Sequence, residues 1–165
     1  MKIREVTPAD AEKLVALINQ VEVESPYMLM EPGERKMTPE SQRLSLEQME
    51  KESNSTIFVA EEKEELVGYL IVIGGKAKRK KHTAYLVIGI IEKFRGQGIG
   101  TKLFQQLDDW AAIHQIQRLE LTVVTENTIG VALYKKMGFE SEGIKRKSLL
   151  VNGKWLDEYY MSKLR

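Results

Sequence analysis

The sequence predicts a mixed α/β chain folded around one central sheet. Short apolar runs of strand length alternate with longer stretches whose apolar residues recur at helical spacing. Two segments open with threonine followed by proline, the composition of a helix start. Asn152-Gly153 lies between two strand-like runs, as a tight hairpin turn requires. The resulting order is strand, helix, helix, three strands, helix, strand, helix, two strands.

Residues 3–6 alternate apolar and charged side chains, the pattern of a half-buried strand. Thr7-Pro8-Ala9-Asp10 places threonine at the cap and proline in the first turn of a helix with Leu14, Val15, Leu17, Ile18 and Val21 on its apolar face. Residues 24–37 hold two prolines, a glycine and three methionines, and read as a loop. Thr38-Pro39-Glu40-Ser41 starts a second helix that runs to about residue 52. Residues 55–60 and 65–73 read as strands joined by the charged turn Glu61-Glu62-Lys63-Glu64. Residues 74–81 form a strongly basic turn before a strand at 84–91. Over residues 102–114, Leu103, Leu107, Trp110, Ala111 and His114 share one helical stripe. A strand at 119–124, a helix at 129–137 and a closing hairpin of 139–150 with 155–164 complete the chain.

The 165 residues suffice for one core, and a single domain over 1–165 is expected. A formal net charge of +1 argues against a strong general attraction to nucleic acid or anionic membrane. The chain has no cysteine, which removes disulfides, thiolate metal sites and cysteine nucleophiles and fits a reducing cytoplasm. With only His82 and His114, a histidine-built metal site is not expected either. The first residues interleave charge with apolar side chains, unlike a signal peptide, and no run is long enough to span a bilayer.

Arg95-Gly96-Gln97-Gly98-Ile99-Gly100-Thr101 is the most informative stretch. It joins an apolar strand to a helix, and that junction points backbone N–H groups at an anion. Glycine lets the backbone come close, and Arg95 adds a cation with a planar fork of donors. A phosphate group, most simply a diphosphate, suits such a loop. A Walker loop is excluded because Gly100 is followed by Thr101-Lys102, in the wrong order. A dinucleotide fingerprint is excluded because Thr101 stands where its third glycine belongs. A glycine-rich turn capping an ordinary helix has the same composition.

Downstream, residues 119–124 lead into Thr125-Glu126-Asn127 and a helix that ends Leu133-Tyr134-Lys135-Lys136-Met137-Gly138-Phe139. The two blocks together, in this order and spacing, resemble the GNAT superfamily of N-acetyltransferases. Arg95-x-x-Gly98-x-Gly100 is similar to that family's pyrophosphate loop, and residues 127–139 to its second signature. The resemblance implies a central, mostly antiparallel sheet of about seven strands, splayed between strands 4 and 5 and flanked by four helices. It implies acetyl-coenzyme A as cosubstrate and no metal; with no cysteine in the chain, no covalent enzyme intermediate is expected. It further implies that the cofactor meets Ile88, Gly89, Ile90 and Ile91 on the strand edge. Arg95, Gly96, Gln97, Gly98, Ile99, Gly100 and Thr101 would meet it in the loop, and Asn127, Tyr134 and Lys136 beyond it. Asn127 is equally suited to cap a helix, and Tyr134 to pack beside Val131 and Met137.

The pantetheine arm resembles a peptide and can pair with an open strand edge, whose N–H groups can also polarise a thioester carbonyl. Tyr134 occupies the family's general-acid position; a tyrosine near pKa 10 can protonate a leaving thiolate. The base that relieves the attacking amine of its proton is not named by the sequence. Glu31 is the catalytic candidate, with Glu92, His82 and His114 weighed beside it, and each also reads as an ordinary surface or turn residue. Residues 22–36, with Glu22, Glu24 and Glu31 among apolar side chains, suit a cationic amine with some apolar body; the resemblance implies a small molecule or a peptide N-terminus as that acceptor. The resemblance also implies a possible homodimer through the hairpin of residues 139–164. Two alternatives stand beside the enzyme: a non-catalytic acetyl-coenzyme A sensor, and a module that contacts RNA or a ribosomal surface through the basic run Lys76 to Lys81.

Overall fold

The structure, a computed structural model, describes all residues 1–165. Seven strands form one sheet: β1 (Lys2–Glu5), β2 (Thr56–Glu62), β3 (Glu65–Gly74), β4 (Thr83–Ile90), β5 (Arg118–Val124), β6 (Glu140–Val151) and β7 (Lys154–Leu164). The helices are α1 (Ala11–Glu24), α2 (Pro39–Glu50), α3 (Ile99–Ile113) and α4 (Thr128–Lys136). The strand order is β1-β2-β3-β4-β5-β7-β6, and every neighbouring pair is antiparallel except β4 with β5. The mixed sheet and four helices agree with the sequence expectation.

Local chemistry accounts for the turns. Lys63 and Glu64, both at positive φ, close the β2–β3 hairpin within the expected charged stretch. Asn152 (φ 50°) and Gly153 (φ 76°) close β6–β7, the left-handed pair that a two-residue hairpin needs. The start of α1 differs from expectation: residues 8–10 make a single 3-10 turn, and Thr7 donates both its N–H and its hydroxyl to the Asp10 carboxylate. Arg4 grips the same carboxylate at 2.8 and 2.9 Å, ties β1 to this turn, and holds Asp10 below its usual titration range.

β2 is buried continuously from Thr56 to Ala60 because both faces of the sheet are covered. On one face Phe58 meets Trp110 of α3 edge to face at 6.3 Å. On the other, Tyr69 of β3 lies close enough to Glu22 of α1 for that carboxylate to raise its pKa further, beyond the larger effect of burial. α3 runs from β4 to β5 as the crossover that parallel neighbours require.

That parallel contact is short. β4 and β5 are paired only at Thr83↔Arg118, Ala84↔Leu119 and Tyr85↔Glu120. Beyond them, β4 continues to Ile90 and β5 to Val124 with no ladder between them. Each strand is held from its other side, β4 by β3 over its whole length and β5 by β7 from Arg118↔Leu164 to Val124↔Glu158. The sheet therefore stays intact while its middle opens.

Leu107 of α3 is completely buried in the core. Leu107→Ala should cost about 2–5 kcal/mol of unfolding free energy in urea denaturation. A loss under about 1 kcal/mol would contradict this packing.

Candidate active site

The opening between β4 and β5 is the mouth of a cleft of about 1090 Å³. Its walls are residues 85–90 of β4 and 121–124 of β5; residues 25–29, the first turns of α3, one side of α4 from Ile129 to Tyr134, and the β6–β7 hairpin complete it. Most of the lining is apolar, and its only charged side chains are Arg95, Lys145 and Glu158.

At one end, α3 begins inside the glycine loop, three residues earlier than the helical stripe alone indicates. Gly98 caps it at φ 80°, a backbone state that costs a side-chain-bearing residue about 1–2 kcal/mol. The first helical hydrogen bond runs from Lys102 N–H to Gly98 O at 3.1 Å. The N–H groups of residues 96–101 donate to no protein acceptor. These donors, at the positive end of a helix dipole, are the fit a diphosphate requires. Gly100 serves a different purpose: a Cβ there would lie 2.8 Å from Leu133 Cδ2, so glycine lets α3 and α4 pack closely. Arg95 donates through Nε to Ile90 O at 3.0 Å, and Lys136 Nζ stands 3.3 Å from Thr101 Oγ1. Gln97 turns its side-chain amide to Lys93 O.

The β4 edge supplies a second set of backbone groups. Ile91 N–H donates to Val67 O of the β3 side, so by strand alternation the main-chain groups of Ile88 and Ile90 face the split. Ile88, Gly89, Ile90, Arg95, Gly96, Ile99, Gly100, Thr101, Asn127 and Tyr134 all line the cleft. Ile91, Gln97, Gly98 and Lys136 stand outside its lining.

Tyr134 sits in the last turn of α4 with only 8% of its surface exposed. Phe104 and Phe139 hold its ring edge to face at 5.8 and 6.2 Å. Its hydroxyl has no protein partner, yet no buried side-chain polar atom is left unsatisfied, so the hydroxyl meets the cleft. Asn127 caps α4, its Oδ1 accepting from Gly130 N–H at 3.0 Å.

The acidic loop is arranged differently from its composition. Glu31 is exposed and lies outside the cleft lining. Glu22 is buried against Arg35, at 3.0 Å, and Glu24 accepts from Glu92 N–H at 2.9 Å. His82 is exposed away from the cleft, and His114 stacks on Trp110 with centroids 4.4 Å apart. What reaches the cleft from this loop is apolar: Pro26, Tyr27, Met28 and Leu29.

The cleft's carboxylate instead comes from β7. Glu158 is half-buried and accepts from the Ser148 hydroxyl at 2.5 Å. Ser148 is available because β6 bulges: residues 146–148 stand opposite the single residue Asp157, whose carboxylate holds Lys147 N–H at 2.8 Å. Tyr85 and Thr122 hydroxyls meet at 2.9 Å across the split. No segment of the sequence marks the bulge, since Lys147 takes φ 48° without being glycine or asparagine.

Comparison with known proteins agrees with this geometry. The pattern describing the acetyltransferase (GNAT) family matches residues 20–139, and the chain belongs to that family. An acetyltransferase of the GNAT family from Streptococcus pneumoniae superposes with a TM-score of 0.94 at 31% identity, over 99% of this chain and 98% of that one. A ribosomal-protein-alanine N-acetyltransferase from Brucella melitensis gives 0.86 at 26% identity over 100% of both chains. The L-amino acid N-acetyltransferase AaaT of Escherichia coli K12 is 31% identical over 105 residues, which span 61% of this chain and 63% of that protein. No helix is long and apolar enough to cross a membrane.

Burial, with a smaller contribution from Tyr85, pushes the Tyr134 hydroxyl above its ordinary value. The unfolded chain releases this proton near pH 10, whereas the folded chain keeps it to higher pH. The linked stability is therefore complete below about pH 10 and is lost as pH rises past it. In urea unfolding between about pH 9 and 11, Tyr134→Phe should lose stability less steeply than the wild type. Equal slopes would contradict the burial effect.

Proposed function

We propose that residues 1–165 act as one acetyltransferase domain that moves an acetyl group from acetyl-coenzyme A to a primary amine by direct attack. The acceptor is a small molecule or a peptide N-terminus. One observation carries this reading: a single cleft joins unpaired N–H groups at a helix start to an unpaired strand edge and to a cleft-facing tyrosine hydroxyl. The family relation supports it, as do relatives named for acetylating L-amino acids and ribosomal-protein alanine.

In this reading the N–H groups of residues 96–101, with Arg95 and Lys136 beside them, hold the diphosphate. The main-chain groups of Ile88 and Ile90 align the pantetheine arm, and an N–H of that edge stabilises negative charge growing on the thioester oxygen. Glu158 takes a proton from the acceptor ammonium and leaves a free amine. As the C–N bond forms and the C–S bond breaks, Tyr134 gives its proton to the departing thiolate. The second amine proton passes to water and then restores Tyr134, so one proton is released overall. Exposed Ile144, Leu150 and Trp155 on the β6–β7 hairpin favour self-association of this domain, which light scattering would detect as a dimer mass and a monomer mass would refute.

Calorimetry and thiol release test the two halves separately. Gly98→Val should weaken acetyl-coenzyme A binding by about tenfold or more, through backbone strain and crowding. Tyr134→Phe should leave binding nearly intact and lower turnover by about 10²–10⁴. Unchanged turnover would remove Tyr134 from the chemistry. Binding without thiol release from any amine would favour a sensor.

A further inference from the structure

We propose that Lys145 makes this cleft selective for acceptors that carry a free carboxylate beside the amine, namely α-amino acids with apolar side chains. The inference rests on the acetyltransferase reading above and narrows its acceptor.

Lys145 and Glu158 are direct cross-strand partners on β6 and β7, the position where opposite charges ordinarily pair. They form no ion pair. Glu158 is bonded to Ser148 instead, and Lys145 has no hydrogen-bond or ion-pair partner. Neighbouring lysines of the same hairpin are engaged: Lys154 with Glu126, Lys163 with Asp108, and Lys147 over the Trp155 ring. The bulge at residues 146–148 produces this separation by turning Ser148 toward Glu158. One ammonium and one carboxylate are thus left open to the same cleft.

Charge balance then selects the ligand. A peptide N-terminus or simple amine satisfies Glu158 but brings its ammonium near Lys145 with nothing to offset it. A polyamine adds a further like charge. A zwitterion matches both groups, its ammonium toward Glu158 and its carboxylate on Lys145. Tyr27, Met28, Leu29 and Leu149 offer the remaining surface to an apolar side chain. Arg95, the other cation of the cleft, is engaged at the opposite end by Ile90 O.

The test compares leucine, methionine and phenylalanine with their α-carboxamides and with spermidine, by thiol release. The wild type should favour each free acid over its amide by about 10- to 100-fold in kcat/KM. Lys145→Met should bring that ratio toward one, chiefly through KM, whereas Lys145→Arg should retain it. Comparing ratios between variants cancels the different basicities of acid and amide. Equal use of acid and amide by the wild type, or a ratio unmoved in Lys145→Met, would overturn the proposal. Should no amine release thiol, the acetyltransferase reading fails. Calorimetry of leucine against leucinamide on the coenzyme A-loaded protein then decides the inference alone. A preference for leucine that Lys145→Met abolishes sustains it, and no preference overturns it.

Discussion

Two parallel strands that stop pairing part-way along their length are the constraint on which the rest of this molecule depends. A backbone N–H or C=O left without a partner and without water is costly, by about 1–3 kcal/mol for each group. β4 and β5 nevertheless separate beyond Tyr85 and Glu120. The gap is sustained because β3 and β7 hold the far edges of the two strands, while α3 and α4 approach each other closely at Gly100 and Leu133 beside the open end. The unpaired groups therefore face a cleft that a peptide-like ligand can fill. An opening that weakens an isolated sheet is in this way the most useful surface of the fold.

The same helix pair serves both ends of the cleft. α3 begins with free donors where an anion belongs, and α4 carries Tyr134 into the opening from the other side. Phe104 of α3 and Phe139 after α4 fix the tyrosine ring between them. Packing in the core and placement of the hydroxyl are thus one event, and the aromatic cluster that stabilises the fold also decides where a proton can be delivered.

Much of the fold was legible in the sequence because its signals are local. Asn152-Gly153 and the charged turn at Lys63-Glu64 declare hairpins, Thr38-Pro39 declares a helix, and Leu103, Leu107 and Trp110 declare the buried face of α3. The split between β4 and β5 was expected only by resemblance, since an unpaired edge leaves no periodicity behind. The glycine loop was legible as a set of donors, but not the division of labour within it, where Gly98 supplies a left-handed cap and Gly100 a close helix contact. Composition pointed to Glu31 and its loop for the base of the site, whereas the structure brings Glu158 to the cleft from the hairpin. Its neighbours Lys145 and Ser148 arrive by a bulge that shifts strand register, which no single-sequence pattern encodes.

The account stands or falls on what the backbone donors of residues 96–101 and the open edge of β4 contact. Titration of ¹⁵N-labelled protein with coenzyme A, followed by amide NMR, reads those groups directly. The account predicts that the largest shifts fall on residues 96–101 and on Ile88 and Ile90. Saturable binding that leaves these amides unmoved while perturbing others would contradict it.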